Sequence, residues 1–97
     1  MTVNYTPRSK ADLNGVAKYY DNIDPKIFPR ILAEILRVLA RVELQPWSGK
    51  TQHIKYVRKV VATKYGYIIY YKYHARIKTV DVLRIVHGRQ RRPFKDT

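Results

Sequence analysis

The sequence predicts an α+β fold: a two-helix hairpin packed on a three- to four-stranded antiparallel sheet, in the order β-α-α-β-β-β. Residues 7–45 carry apolar side chains with a helical period, while residues 53–87 turn to Val, Ile and Tyr in strand-like alternation. The links are short, which makes neighbouring helices and consecutive strands antiparallel. The apolar face of the hairpin must then cover one face of the sheet, because neither can bury its apolar side alone.

The elements follow in order. Residues 3–5 are a candidate edge strand. Thr6-Pro7 has the form of a helix start, with Thr as N-cap and Pro at the first helical position. Leu13, Val16, Ala17 and Tyr20 then form one apolar face. Gly15 is expected at a close approach of the two helices. Asn22-Ile23-Asp24-Pro25 makes the break, with Asp24 as the next N-cap. The second helix carries Phe28, Ile31, Leu32, Ile35, Val38, Leu39 and Val42 on one stripe, with Arg30, Glu34, Arg37 and Arg41 opposite. Pro29 belongs in its first turn. Pro46 and Gly49 end it. Strands are expected at 56–62, 67–73 and 79–87, with a turn at 63–66. In the second strand, Tyr67, Ile69, Tyr71 and Tyr73 fall on one face, and Ile68, Tyr70 and Lys72 on the other. In the third, Val80, Val82, Arg84 and Val86 alternate against Asp81, Leu83, Ile85 and His87.

The chain of 97 residues fits one domain, 1–97, ending in a basic tail, 88–97. Its 45% hydrophobic content excludes a disordered cationic tail, and the absence of Cys excludes disulfides, Cys-based zinc sites and thiol catalysis. The formal charge is +13, of which residues 1–50 carry +3 and residues 51–97 carry +10. Such an excess favours a polyanionic partner, either nucleic acid or an acidic protein surface. The opening Thr2-Val3-Asn4-Tyr5 is not an apolar leader, and no run approaches the ~20 apolar residues of a membrane span. A cytoplasmic protein with no membrane association is expected.

Few residues carry recognisable chemistry. His87-Gly88-Arg89-Gln90-Arg91-Arg92 ends a strand, turns and presents three Arg, a basic lip suited to phosphate or carboxylate. His87 has two readings. It could carry a proton in a metal-free ribonuclease, with Arg58, Arg84 or Arg89 stabilising phosphorane charge. The alternation favours the other reading, a cap on the strand end bonded to backbone, because it sets His87 on a half-buried face with Leu83 and Ile85. The clustered Tyr side chains suit base stacking or core packing. Trp47, just past a helix end, reads as a packing anchor. No metal-ligand spacing links the three His, and there is no Gly-rich phosphate loop, carboxylate pair or activated Ser. No metal or cofactor is expected.

Taken together, the chain resembles the RelE/ParE superfamily of bacterial type II toxins. The resemblance covers nearly all of it. It rests on Tyr5-Thr6-Pro7-Arg8-Ser9-Lys10-Ala11-Asp12-Leu13, on Asp24-Pro25, on Pro46 with Gly49, on Tyr65-Gly66-Tyr67-Ile68-Ile69-Tyr70-Tyr71, and on Val82-Leu83-Arg84-Ile85-Val86-His87-Gly88-Arg89. It implies an acidic cognate antitoxin, a hetero-oligomer with it, and growth arrest by the free toxin. The target is DNA gyrase in the ParE-like branch and messenger RNA on the ribosome in the RelE-like branch. The ribonuclease branch would use Arg58, His87 and Arg89 here. Its mid-strand Arg position is occupied by Ile68, and the only late aromatic is Phe94, which cannot exchange a proton. The strand ending in His-Gly-Arg looks more like the ParE branch, which acts by binding rather than catalysis. On that reading Arg58, Arg84, Arg89, Arg91 and Arg92 engage the target, and Phe28 and Trp47 anchor the antitoxin. The alternatives are a RelE-like endoribonuclease and a plain nucleic-acid-binding module.

Overall fold

A computed structural model describes residues 2–90. The elements are β1 (Thr2–Tyr5), α1 (Pro7–Asp21), α2 (Ile27–Leu44), β2 (Lys50–Thr51), β3 (Val57–Ala62), β4 (Tyr67–His74) and β5 (Thr79–His87). The sheet order is β1-β5-β4-β3-β2. The expected order of helices and strands holds, but the sheet has five strands and is mixed. β2, β3, β4 and β5 pair antiparallel, whereas β1 pairs parallel with β5. Short links fix the antiparallel pairs; the link out of β1 holds both helices and leaves its direction free. β2 is too short for any periodic signal.

Thr6 caps α1 as expected, accepting the Ser9 N–H at 3.2 Å. The same hydroxyl donates to the carbonyls of Val82 and Leu83 at 2.8 and 3.2 Å, tying the start of α1 to β5. Leu13, Val16 and Tyr20 pack half-buried on the core. Gly15 does not mark a close approach: a Cβ there would meet nothing within 4 Å. α2 starts at Ile27 rather than Pro25. Asp24 instead closes a turn, its carboxylate accepting Lys26 N–H and its carbonyl accepting Ile27 N–H.

Ile31, Ile35, Val38 and Leu39 of α2 meet Ala62, Tyr67, Ile69, Val82 and Ile85 of the sheet. Glu34 departs from its expected place on the polar side of α2. It is 5% exposed, and its carboxylate accepts Lys64 N–H at 2.7 Å and Tyr65 N–H at 3.3 Å. It therefore caps the turn between β3 and β4, where Gly66 takes φ +80.

The alternation expected for β4 is observed, with Tyr67 and Ile69 in the helix-facing core and Ile68 and Tyr70 in a cluster with Val57 and Val86. In β5 it breaks. Arg84 pairs with Tyr70 and Val82 with Tyr71, so one residue of β5 is extra at Leu83. A bulge of one residue reverses the faces beyond it. Val80, Val82 and Ile85 therefore pack with helix-side residues, while Leu83 joins the Val86 cluster.

Candidate functional site

Among the described residues, two concave surfaces lie at opposite ends of the sheet; Trp47 and Arg58 line one, and His87 and Arg89 line the other.

At the first end, the chain leaves α2 through Pro46, Trp47 and Gly49. Buried Tyr71 holds this segment: its hydroxyl accepts Gly49 N–H at 2.9 Å and donates to Pro46 O at 3.0 Å. Burial raises the Tyr71 pKa, with the Gly49 N–H and the charge of Arg58 opposing. Gly49 is required here because a Cβ would overlap the Tyr71 hydroxyl and lie 2.8 Å from its ring carbons. Arg58 of β3 donates from Nη1 to the carbonyls of Trp47 and Gly49, both at 2.9 Å, and its guanidinium sits 5.3 Å from the Trp47 ring centre. Trp47 meets Tyr73 edge to face at 4.9 Å and stays 59% exposed. The anchor expected at Trp47 is thus only partly packed. Beside it opens a cleft of about 790 Å³, bounded also by Tyr56 and Ile77. Tyr56 stands at φ 68, a left-handed conformation that costs a non-glycine residue about 1–2 kcal/mol.

At the second end, α1 faces the start of β4 and the end of β5. A cleft of about 560 Å³ is lined there by Gly15, Tyr19, Tyr20, Tyr67, His87 and Arg89, among others. His87 Nδ1 accepts the Arg89 N–H at 3.1 Å, so the neutral ring carries its proton on Nε2. This backbone bond matches the capping reading of His87. Tyr67 meets the ring edge to face at 5.2 Å. The Tyr67 pKa is pushed up to about 12, first by burial and then by the neighbouring Tyr20 hydroxyl. It therefore stays protonated at neutral pH and is a poor proton acceptor. Gly66 adjoins His87; a Cβ there would lie 3.1 Å from Nε2.

Arg84 belongs to neither cleft's lining. Its Nε and Nη2 donate to Asp12 at 2.8 and 3.2 Å, and the same carboxylate accepts Ile85 N–H at 2.9 Å. Asp12, which carried no expected role, thereby docks α1 onto β5.

The expected trio Arg58, His87 and Arg89 is not brought together. Arg58 pairs opposite Tyr71 and His87 opposite Tyr67, four residues apart along β4. At ~3.3 Å per residue this separation is about 13 Å. Phe28 and Trp47 are also far apart, since α2's 18 residues lie between its start and the Trp47 segment, about 27 Å at 1.5 Å per residue. Phe28 is half-buried in the first turn of α2. Arg91, Arg92 and Phe94 lie outside the described residues. Among the described residues, no group of three or more His, Asp or Glu could hold a metal, and no helix is long and apolar enough to cross a membrane.

Residues 3–92 match the family model of the ParE toxin of the type II toxin–antitoxin system parDE. The chain belongs to the ParE toxin family. This ParE-family toxin is 28% identical over 91 residues to Y4kP of Sinorhizobium fredii, which carries a toxin name; the match covers 94% of this chain and 92% of that one. Its fold resembles the chromosomal ParDE toxin–antitoxin system from P. aeruginosa, with a TM-score of 0.75 at 17% identity, covering 90% of this chain and 95% of that one. It also resembles the RelBE2 toxin–antitoxin complex from Mycobacterium tuberculosis, with a TM-score of 0.60 at 21% identity over 92% of each chain. The intact E. coli RelBE toxin–antitoxin complex gives a TM-score of 0.61 at 13% identity, covering 92% of this chain and 98% of that one. At these identities the structural matches bear on the fold.

Proposed function

We propose that this ParE-family toxin inhibits DNA gyrase by binding, without catalysis, and is neutralised in the cytoplasm by an acidic cognate antitoxin. The observation that carries this reading is the dispersal of the residues a ribonuclease would need. Arg58 is bound to the carbonyls of Trp47 and Gly49. His87 and Arg89 lie beside the other end of β4, where the His87 ring accepts the Arg89 backbone N–H. The middle strand offers Ile68, 3% exposed, where an Arg would be needed. General acid–base catalysis requires its groups within hydrogen-bond reach of the same reacting atoms, and Arg58 is out of reach of the cleft that His87 and Arg89 share.

The target surface on this reading is the end of β5: Arg89, which is exposed, followed by Arg91 and Arg92. Arg84 is withdrawn from that set by Asp12, and Arg58 by its loop. Phe28 and Trp47 remain anchors for the antitoxin, reached by a partner that runs the length of α2.

The test is expression in cells carrying a DNA-damage reporter and a translation reporter. Induction of the damage reporter with translation intact supports gyrase as target. Translation arrest with codon-specific transcript cleavage, lost on Arg89→Ala, would replace it with the ribonuclease reading. Affinity for free DNA or RNA that falls steeply with salt, without growth arrest, would leave a plain nucleic-acid-binding module.

A further inference from the structure

We infer that the cleft between Trp47, Tyr56, Tyr73 and Ile77 is the docking site for an acidic segment of the antitoxin that inserts a bulky aliphatic side chain. The inference rests on the toxin reading above and names the part of the partner that this end of the sheet receives.

The cleft's walls are apolar and solvent-facing. Tyr56 is 71% exposed, Ile77 70% and Trp47 59%. Its volume of about 790 Å³ is within the usual range of ligand clefts. Two turns frame it, and both contain a non-glycine residue in the left-handed region: Tyr56 at φ 68 and Lys78, next to Ile77, at φ 49. Strained backbone that presents an exposed ring at a cleft margin is a recurrent mark of binding sites.

Charge selects the occupant. Arg58, Lys72 and Arg76 stand in the lining, and among the described residues no carboxylate does. Asp81, on β5 beside this end, is engaged by His74 at 2.8 Å. An anionic partner is therefore favoured.

Ring geometry separates the two polyanions. Base stacking needs an open aromatic face. The Trp47 ring has the Arg58 guanidinium over it, and Tyr73 meets it at 84° rather than in parallel. That geometry offers no slot for a flat base between the two rings. An aliphatic side chain fits against ring edges and Ile77 without such alignment, and flanking carboxylates meet the surrounding cations. The cleft is about 13 Å along β4 from the Arg89 end, so it anchors a partner without using the target surface.

Trp47 is the only tryptophan in the chain, so its fluorescence reports this cleft alone. The probes are a twelve-residue peptide of aspartate and glutamate with two central leucines, the same peptide with two serines, and a twelve-nucleotide oligothymidylate. The leucine peptide should shift Trp47 emission to the blue and saturate. The serine peptide and the oligothymidylate should bind at least tenfold more weakly. Ile77→Asp should weaken the leucine peptide at least tenfold. So should Tyr56→Gly, which removes the ring while suiting the left-handed backbone, so that loss of folding does not explain the loss of binding. Equal binding of the two peptides, tighter binding of the oligothymidylate, or unchanged binding by both variants would overturn the inference.

In cells co-expressing the antitoxin, Ile77→Asp should still arrest growth and should no longer be neutralised. Neutralisation as in the parent overturns the docking site. A parent chain that does not arrest growth overturns the toxin reading instead, and the peptide titration then decides the cleft by itself.

Discussion

Arg84 and Asp12 are joined by two hydrogen bonds, Nε to Oδ2 at 2.8 Å and Nη2 to Oδ1 at 3.2 Å, across 72 positions of sequence. Asp12 also accepts the backbone N–H of Ile85, so one carboxylate fastens α1 to β5 beyond the bulge. Asp12→Ala strands both a guanidinium and a backbone donor. It should lower stability by about 2–4 kcal/mol in urea unfolding. Arg84→Ala leaves the Ile85 bond in place and should cost about half as much. A larger loss for Arg84→Ala would contradict the assignment of Asp12 as the docking group.

Glu34 is the corresponding fastener between α2 and the β3–β4 turn. Its carboxylate serves two backbone N–H groups while almost fully buried. Glu34→Ala should cost about 2–3 kcal/mol, since two donors lose a charged acceptor. Glu34→Gln keeps an acceptor oxygen and should recover part of that loss in the same measurement.

The segment after α2 depends on Tyr71 and Gly49 fitting together. Tyr71→Phe removes the partner of Gly49 N–H and of Pro46 O and should cost about 1–2 kcal/mol. Gly49→Ala should be worse, because its methyl group would overlap the tyrosine ring system. In the double variant Tyr71→Phe with Gly49→Ala, the costs should fall short of additivity, as expected for groups in contact. Thermal or urea unfolding of the four proteins closes the cycle.

Tyr56→Gly should raise stability by about 0.5–1 kcal/mol. The left-handed strain of roughly 1–2 kcal/mol is relieved, partly offset by the added freedom of glycine in the unfolded chain. The ring is 71% exposed, so little packing is lost. Urea unfolding midpoints compare the two proteins.

Alkaline pH should unfold the protein through its buried tyrosines. Tyr67 has its pKa raised from 10.0 to about 12, mainly by burial, and burial also raises Tyr5 and Tyr71. A pKa raised by folding contributes stability that is complete below the unfolded value and is lost as pH climbs through the folded value. Stability should therefore be flat up to about pH 10 and fall between there and about pH 12. Tyr67→Phe should make that fall shallower in a pH series of thermal midpoints.

The sequence displayed the fold through long periodic segments: the stripe Ile31, Ile35, Val38, Leu39 and the alternation of β4 both appear where their spacing placed them. What it hid was non-local. β1 lies parallel to β5, but the two helices after it leave its direction free and nothing local to residues 2–5 specifies one. The bulge at Leu83 changed which residues of β5 share a face, though the residue types alternate without a break. Glu34 looked like a solvated helix charge, and only the folding of a turn thirty residues away onto it makes it a cap. The candidate site was legible as residue types but not as a constellation. Arg58, Arg84 and Arg89 are one basic set in sequence, and in the fold each has a different neighbour: a loop, a carboxylate and a histidine.

Gyrase supercoiling in the presence of the purified protein tests the central claim most directly, with parent and Arg89→Ala compared and added messenger RNA followed in parallel on translating ribosomes. Binding-based inhibition predicts that the parent blocks supercoiling, that Arg89→Ala does so at least tenfold less effectively, and that the messenger RNA stays intact. Supercoiling that proceeds normally while the messenger RNA is cut at defined codons would contradict it.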